Sequence, residues 1–188
     1  MNWYDCDISS VFLGRAEIND ICIRIASEIN NEYVNKKLIM LCVLKGSCFF
    51  TCDLLKYINI PVNVEYIKAS SYGMGAVSTG NVEIKYDTTP GDLSEYDVLI
   101  IEDILDTGNT LKALIEYIKN KNAKSVKLCV LLHKHKKNMA GNKIKIDYEG
   151  VKTEDEFFVG YGLDYGGYYR NLPVVAVLKD EKIKRPPG

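Results

Sequence analysis

The sequence predicts an α/β protein built on a parallel β-sheet with helices on both faces. Three observations carry that prediction. LIMLCVL (38–44), VLII (98–101) and VKLCVLL (126–132) are short apolar runs without alternation, as strands covered on both faces must be. Ile18, Ile21, Cys22, Ile25 and Ile29, and later Leu111, Leu114, Ile115 and Ile118, recur at the spacing of one helical face. Strand-like and helix-like segments alternate along the chain, which is the pattern of parallel strands joined by helical crossovers.

Taken in order, residues 16–31 read as an amphipathic helix and 38–44 as the first buried strand. After Lys45-Gly46-Ser47, CFFTCDLLKYI reads as a helix and VNVEYIKA as a strand. Residues 70–95, rich in Gly, Ser and Thr, form a loop longer than compact domains ordinarily use, with VEIKY as a short hairpin strand inside it. A flexible lid is the expectation for such a stretch. VLII is the next buried strand, and the helix marked by Leu111 to Ile118 follows it. VKLCVLL, FFVGYG and VVAVL supply three further strands, and residues 182–188, KIKRPPG, are expected to form a free tail.

The totals bound what the chain can be. Its 188 residues suit a single domain, 1–188, and 47% hydrophobic with 26% charged residues is the composition of a folded globular protein. With 24 basic against 25 acidic residues, the formal net charge of −1 gives no electrostatic reason to expect nucleic acid or an anionic membrane as partner. MNWYDCDISS lacks the pattern of a secretory signal, and no apolar run approaches the roughly 18 residues of a spanning helix. A soluble, cytoplasmic protein is expected. None of the six cysteines forms a C-x-x-C pair; most sit in apolar runs and are expected to be small buried thiols.

In sheets of this class, ligands bind beyond the carboxyl ends of the strands. LIMLCVL ends in Lys45-Gly46-Ser47, VLII in Glu102-Asp103, VKLCVLL in His133-Lys134 and FFVGYGL in Asp164, so four strands are expected to deliver charge to one rim. Glu102 and Asp103 are adjacent, and successive strand residues face opposite ways, so both reach one ligand only if the chain bends there. The helix opening at Thr107, Gly108, Asn109 and Thr110 would offer backbone amides and hydroxyls to a phosphate. Three carboxylates beside a phosphate demand a divalent metal or sugar hydroxyls between them. Phosphoribosyl pyrophosphate carries phosphate, ribose and a metal-binding group together. Asp106 taken alone reads as a helix-start residue, and His133 and His135 as surface polar groups in preference to metal ligands.

VLIIEDILDTGNTL (98–111) resembles the signature of the purine phosphoribosyltransferases of the hypoxanthine-guanine type. LKGS (44–47), SSYG (70–73), Lys134 after LLH, and VGYGLDYGGYYRNLP (159–173) match further family segments in the same order. The resemblance implies a Rossmann-like parallel sheet flanked by helices, a small hood formed by the terminal segments, and a lid loop. It also implies a magnesium-dependent transfer of ribose phosphate to hypoxanthine or guanine, with xanthine a further possible base, in a homodimer or homotetramer.

By that similarity, Glu102 and Asp103 contact the ribose hydroxyls directly or through magnesium, Asp106 is the general base at purine N7, and Thr107 to Thr110 hold the 5′-phosphate. Leu44, Lys45 and Gly46 form the pyrophosphate loop, with a non-proline cis peptide before the lysine; Arg170 binds pyrophosphate and Asp164 helps place a second magnesium. Lys134 donates to the 6-oxo group, Phe157 stacks on the base, the carbonyl of Phe158 accepts from the guanine 2-amino group, and Ser71 and Tyr72 belong to the lid.

The chain departs from the family pattern in two places. Thr153-Glu154-Asp155-Glu156 stands where Ile-Pro-Asp is usual before Phe157, and HKHKKNMAGNK lacks the usual proline and arginine. Both flank the expected purine pocket and bear on base preference. An RNA-binding regulator on the same fold would want a broad basic face, which the charge balance does not favour. Rossmann dinucleotide and P-loop domains are disfavoured because neither G-x-G-x-x-G after a strand nor G-x-x-x-x-G-K-[ST] occurs.

Overall fold

A computed structural model of the chain describes residues 4, 6–71, 82–135 and 144–184. Nine strands and four helices follow one another: β1 (Ile8–Leu13), α1 (Arg15–Glu32), β2 (Leu38–Val43), α2 (Cys48–Leu55), β3 (Val62–Ser71), β4 (Val82–Asp87), β5 (Asp97–Leu105), α3 (Asn109–Lys119), β6 (Ser125–Lys134), β7 (Tyr148–Thr153), β8 (Phe158–Val159), β9 (Val175–Leu178) and α4 (Asp180–Ile183) among the described residues.

Six strands form the main sheet in the order β4-β3-β2-β5-β6-β7, all parallel except β4, which runs antiparallel to β3 as its hairpin partner. Every residue of β2 is buried, as its unbroken apolar run predicts. Its alternate residues serve two cores. Leu38 and Met40 join Leu99 and Ile101 of β5 under α1 and α2, whereas Ile39, Leu41 and Val43 join Val98 and Ile100 under α3. α1 buries Ile18, Cys22, Ile25, Ala26 and Ile29, one stripe of its surface, and α3 buries Leu111, Leu114 and Ile118 on the other side of the sheet. Ile100 is fully buried in the central strand. Ile100→Ala is therefore expected to cost about 2–5 kcal/mol, read as a fall in the urea midpoint at unchanged slope.

The chain leaves β2 toward β3 in one direction and leaves β5 toward β6 in the other, so the strand order reverses between β2 and β5. Right-handed crossovers in opposite directions put α2 and α3 on opposite faces, and the loops after β2 and β5 diverge there to open a crevice.

FFVGYG and VVAVL are strands, but not strands of the parallel sheet. β8 and β9 pair antiparallel with each other and with β1 in a separate three-stranded sheet, the hood. An apolar run specifies burial and leaves the partner open, which is why FFVGYG reads as a fourth strand ending at the rim of the parallel sheet. β1 and β7 were not anticipated: Ser9, Ser10 and Val11 are exposed and YEGVKT carries mixed polarity, so neither shows a clean period. The hood is tied down by Tyr169, whose hydroxyl donates to Asp7 at 2.8 Å, and by the Lys182–Asp7 ion pair at 2.7 Å. Lys182 and Ile183 of the C-terminal segment thus belong to α4; residues 185–188 lie outside the described residues. Of the long 70–95 segment, Ser71 ends β3 and β4 is the hairpin strand, while Tyr72 falls outside the described residues.

All six cysteines are free. Cys22, Cys42 and Cys129 are buried as expected, but Cys48 is only partly covered and Cys6 and Cys52 are exposed. Cys48 and Cys52 share one face of α2, whose buried side is taken by Phe50, Thr51 and Leu54. Among the described residues no helix is long and apolar enough to cross a membrane.

Candidate active site

β5 runs four residues beyond its last pairing with β2, at Ile101 and Cys42, and stays paired to β6 through Leu105 and His133. The bend expected after Glu102 is therefore absent. Both carboxylates nevertheless line one cleft, because β2 has already turned away and the edge of β5 lies open. Where β2 ends, the Leu44–Lys45 peptide is cis, although no proline follows. Leu44 stays tethered by its amide, which donates to the Ile67 carbonyl at 2.7 Å, and Ser47 is buried with its hydroxyl donating to the Val43 carbonyl at 2.7 Å.

The cleft has a volume of about 430 Å3, and its lining includes the charged Lys45, Glu102, Asp106, Lys134, Asp164 and Arg170. Leu44, Gly46, Asp103, Thr110, Phe157 and Phe158 also reach it. Three chain segments meet at Gly46. A β-carbon there would lie 1.5 Å from Asp103 Oδ2, so the loop backbone is pressed against that carboxylate. On its other side, the Gly46 carbonyl occupies the place where a β-carbon of Gly162 would be, at 2.0 Å, and Gly162 has φ +99°. Arg170 donates through Nη1 to the Gly162 carbonyl at 2.6 Å and pairs through Nη2 with Asp164 Oδ1 at 2.6 Å. Asp164 therefore does reach the rim, but from the hood loop and not from a strand of the parallel sheet. Its Oδ2 accepts from the Gly167 amide at 2.8 Å.

The acids carry a distinctive electrostatic signature. Glu102 has one carboxylate oxygen buried without a hydrogen-bond partner among the described residues. Burial first, and the neighbouring Asp103 second, push its carboxyl well above the usual range. Burial likewise pushes Asp103 up to about 6, with Asp164 adding to the rise, against the lowering effects of the Ile104 and Asp103 amides and Arg170. Asp103 Oδ1 accepts from the Ile104 amide at 2.7 Å. Buried carboxylates that repel each other in this way are stabilised by a divalent cation or by hydroxyl donors. Among the described residues no group of three acid, histidine or cysteine side chains is gathered closely enough to hold a metal alone. One or two carboxylates fit magnesium when a phosphorylated ligand and water complete the shell, so the donor set suits a cation that arrives with its ligand.

Beyond β5, Asp106 is partly buried, and α3 begins after Gly108, which takes the left-handed conformation at φ +79°. The first turn carries Asn109 and Thr110, with Thr107 exposed just before it. Its backbone N–H groups and the positive end of the helix dipole face the rim, an arrangement suited to phosphate.

At the far side, Lys134 ends β6 and is buried, its Nζ donating to Asp155 Oδ1 at 3.1 Å. Phe157 is exposed, its ring edge-on to Tyr165 with centroids 5.1 Å apart, whereas the Phe158 ring turns inward against Phe12 at 4.9 Å. His133 is no surface group: it is buried, and its Nδ1 lies 2.9 Å from Glu149 Oε2. Asp155 was not among the expected site residues; only its place before Phe157, in a segment departing from the family pattern, hinted at it. Ser71 ends β3 as a backbone element and Tyr72 lies outside the described residues.

The phosphoribosyl transferase domain model matches residues 14–166. A hypoxanthine-guanine phosphoribosyltransferase of Staphylococcus aureus is 40% identical over 175 residues, spanning 93% of this chain and 96% of that protein. A solved hypoxanthine phosphoribosyltransferase from Staphylococcus aureus superposes with a TM-score of 0.88 at 38% identity, covering 96% of each chain. A hypoxanthine-guanine phosphoribosyltransferase from Bacillus anthracis superposes with a TM-score of 0.85 at 31% identity, covering 92% of this chain and 100% of that one.

Proposed function

The chain belongs to the phosphoribosyl transferase family, and from that premise we propose that it carries ribose 5-phosphate from phosphoribosyl pyrophosphate to N9 of hypoxanthine or guanine, giving IMP or GMP and pyrophosphate. It is a transferase, and purine salvage is the reading its relatives support. The observation that supports the finer reading is the crevice between β2 and β5, where a glycine loop, the buried Asp103, the half-buried Glu102, a helix start and the buried Lys134 line one continuous cleft.

Each group has a role that its position suits. The amides and hydroxyls from Thr107 to Thr110 hold the 5′-phosphate, and Glu102 and Asp103 accept from the ribose hydroxyls. Leu44, Lys45, Gly46 and Arg170 receive the pyrophosphate. Glu102 and Asp103 would hold a magnesium ion that arrives with the ligand, and Asp164 would help place a second; together they would supply positive charge against the leaving pyrophosphate. Asp106, next along the chain, takes the proton from purine N7 as the N9 lone pair forms the bond to the ribose carbon and the bond to pyrophosphate breaks. Keeping water from the cation-like ribose is the task the resemblance gives to a lid that includes Ser71 and Tyr72.

Lys134 Nζ donates to the 6-oxo group, Phe157 stacks on the ring, and the Phe158 carbonyl accepts from a 2-amino group. The ammonium only donates, and the 6-amino group of adenine offers it no acceptor, so its base-facing N–H would be left unpaired in a buried place. Lys134→Ala is accordingly expected to lower the ratio of kcat/KM for hypoxanthine over adenine by at least about tenfold, an effect of the size of one charged hydrogen bond. Unaltered selectivity would remove Lys134 from this role.

The whole reading is tested by pyrophosphate release in steady state with phosphoribosyl pyrophosphate, magnesium and each of hypoxanthine, guanine, xanthine and adenine. Turnover is expected with hypoxanthine and guanine, and the xanthine rate fixes the breadth of the pocket. Absence of purine-dependent release would overturn the assignment.

A further inference from the structure

The buried Lys134 ammonium does not meet the cleft unattended. β6 and β7 are paired in parallel up to Lys134 and Thr153, and the chain then turns so that Asp155, two residues on, lies across the end of β6. The Lys134 side chain is 10% exposed, whereas that of Asp155 is 53% exposed, so the carboxylate reaches inward from solvent to a cation that cannot reach out. Both residues also line an adjoining cavity of about 670 Å3 that shares Asp106, Lys134 and Phe157 with the main cleft. The pair therefore stands at the wall where the base is read.

We propose that Asp155 is a positioning residue that sets base selectivity, holding the Lys134 ammonium so that its remaining N–H donors point into the cleft at the 6-oxo group of the purine. The inference rests on the reading of Lys134 as the base-recognising donor. Its physical ground is the geometry of the two groups. A lysine has a flexible four-carbon stem whose rotamer freedom must be lost before its head group can discriminate one atom from another. A carboxylate fixed at 3.1 Å removes that freedom before the base arrives. One N–H is committed to Asp155 and two are left, enough for an oxo group and unsuited to an amino group. Removing Asp155 leaves a buried ammonium with a weaker and less directed set of neighbours, and the oxo group loses its aimed donor.

The test is a double-mutant cycle on selectivity. Asp155→Ala is expected to raise KM for hypoxanthine about tenfold, and to lower the hypoxanthine-to-adenine ratio of kcat/KM by a similar factor. KM for phosphoribosyl pyrophosphate is expected to stay within about twofold. Asp155→Glu, which keeps the charge, is expected to recover part of the selectivity, and Asp155→Asn less of it. In the Lys134→Ala background, Asp155→Ala is expected to add little, because the group it positions is gone.

Full additivity of the two substitutions, or equal losses toward both substrates, would show Asp155 to be only a structural group and would overturn the proposal. If Lys134→Ala shifts selectivity and Asp155→Ala does not, the inference falls while the reading of Lys134 stands. If Lys134→Ala shifts nothing, the reading itself falls and takes the inference with it. Thermal unfolding of each variant, expected within a few degrees of the parent because Asp155 lies half in solvent, excludes misfolding as the cause.

Discussion

Replacing Asp106 with Asn is expected to lower kcat by about 10²-fold while the KM values for both substrates stay near those of the parent. Asn has the same shape and still offers an oxygen to N7–H, so ground-state binding of the base is retained. It cannot take up a proton. The loss is therefore confined to the step in which N7 gives up its hydrogen as N9 attacks, which lowers kcat and kcat/KM together. Two features support this role: Asp106 follows the last residue of β5 directly, and it lines both the main cleft and the adjoining cavity beside Lys134 and Phe157. Rates at saturating base and phosphoribosyl pyrophosphate decide the matter; a kcat within about twofold of the parent would remove Asp106 from the proton transfer.

Gly46→Ala is expected to lower kcat/KM for phosphoribosyl pyrophosphate by two to three orders of magnitude, on the order expected when reacting groups are misplaced by about an ångström. The added methyl would sit 1.5 Å from Asp103 Oδ2 and 2.6 Å from its Cγ. Either the carboxylate or the loop must move. The loop cannot simply retreat, because its carbonyl fills the gap above Gly162, where a β-carbon would be 2.0 Å away. Asp103 is also pinned by the Ile104 amide, so yielding there breaks that bond and displaces the acid from its neighbour Glu102. The strain falls on the pyrophosphate loop and the acid pair together. Both lie at the rim and not in the two cores beneath the sheet, so the thermal midpoint is expected to move by only a few degrees. Retention of full activity would show that the loop after β2 does not receive the pyrophosphate.

Much of the architecture was legible because burial writes a period into sequence. The LIMLCVL run and the Ile18-to-Ile29 stripe each have one structural solution at their length, and β2 and α1 adopt it. The site segment 98–111 was legible for a different reason: strand end, acids, glycine and helix start are contiguous, so their chemistry is local. His133 was misread as a surface group because its burial depends on Glu149 and the covering strand β7, which no local pattern announced. The reading of FFVGYG as a strand of the parallel sheet failed for the same reason, since its apolar residues are equally satisfied in the hood.

By itself, then, the sequence determined the central strands β2, β5 and β6, the helices α1 and α3 with their buried faces, and which short segments resemble those of the family. Only the tertiary structure decided that the strand order reverses between β2 and β5, that β5 outruns its neighbour so two adjacent acids share one cleft, and that Gly46, Gly162 and Asp103 touch. It also decided that Asp155 meets Lys134. The physical reason is that side-chain periodicity records how much water a residue avoids, whereas strand partners are chosen by backbone groups that are alike at nearly every position. Contacts between segments tens of residues apart emerge only when both cores close at once.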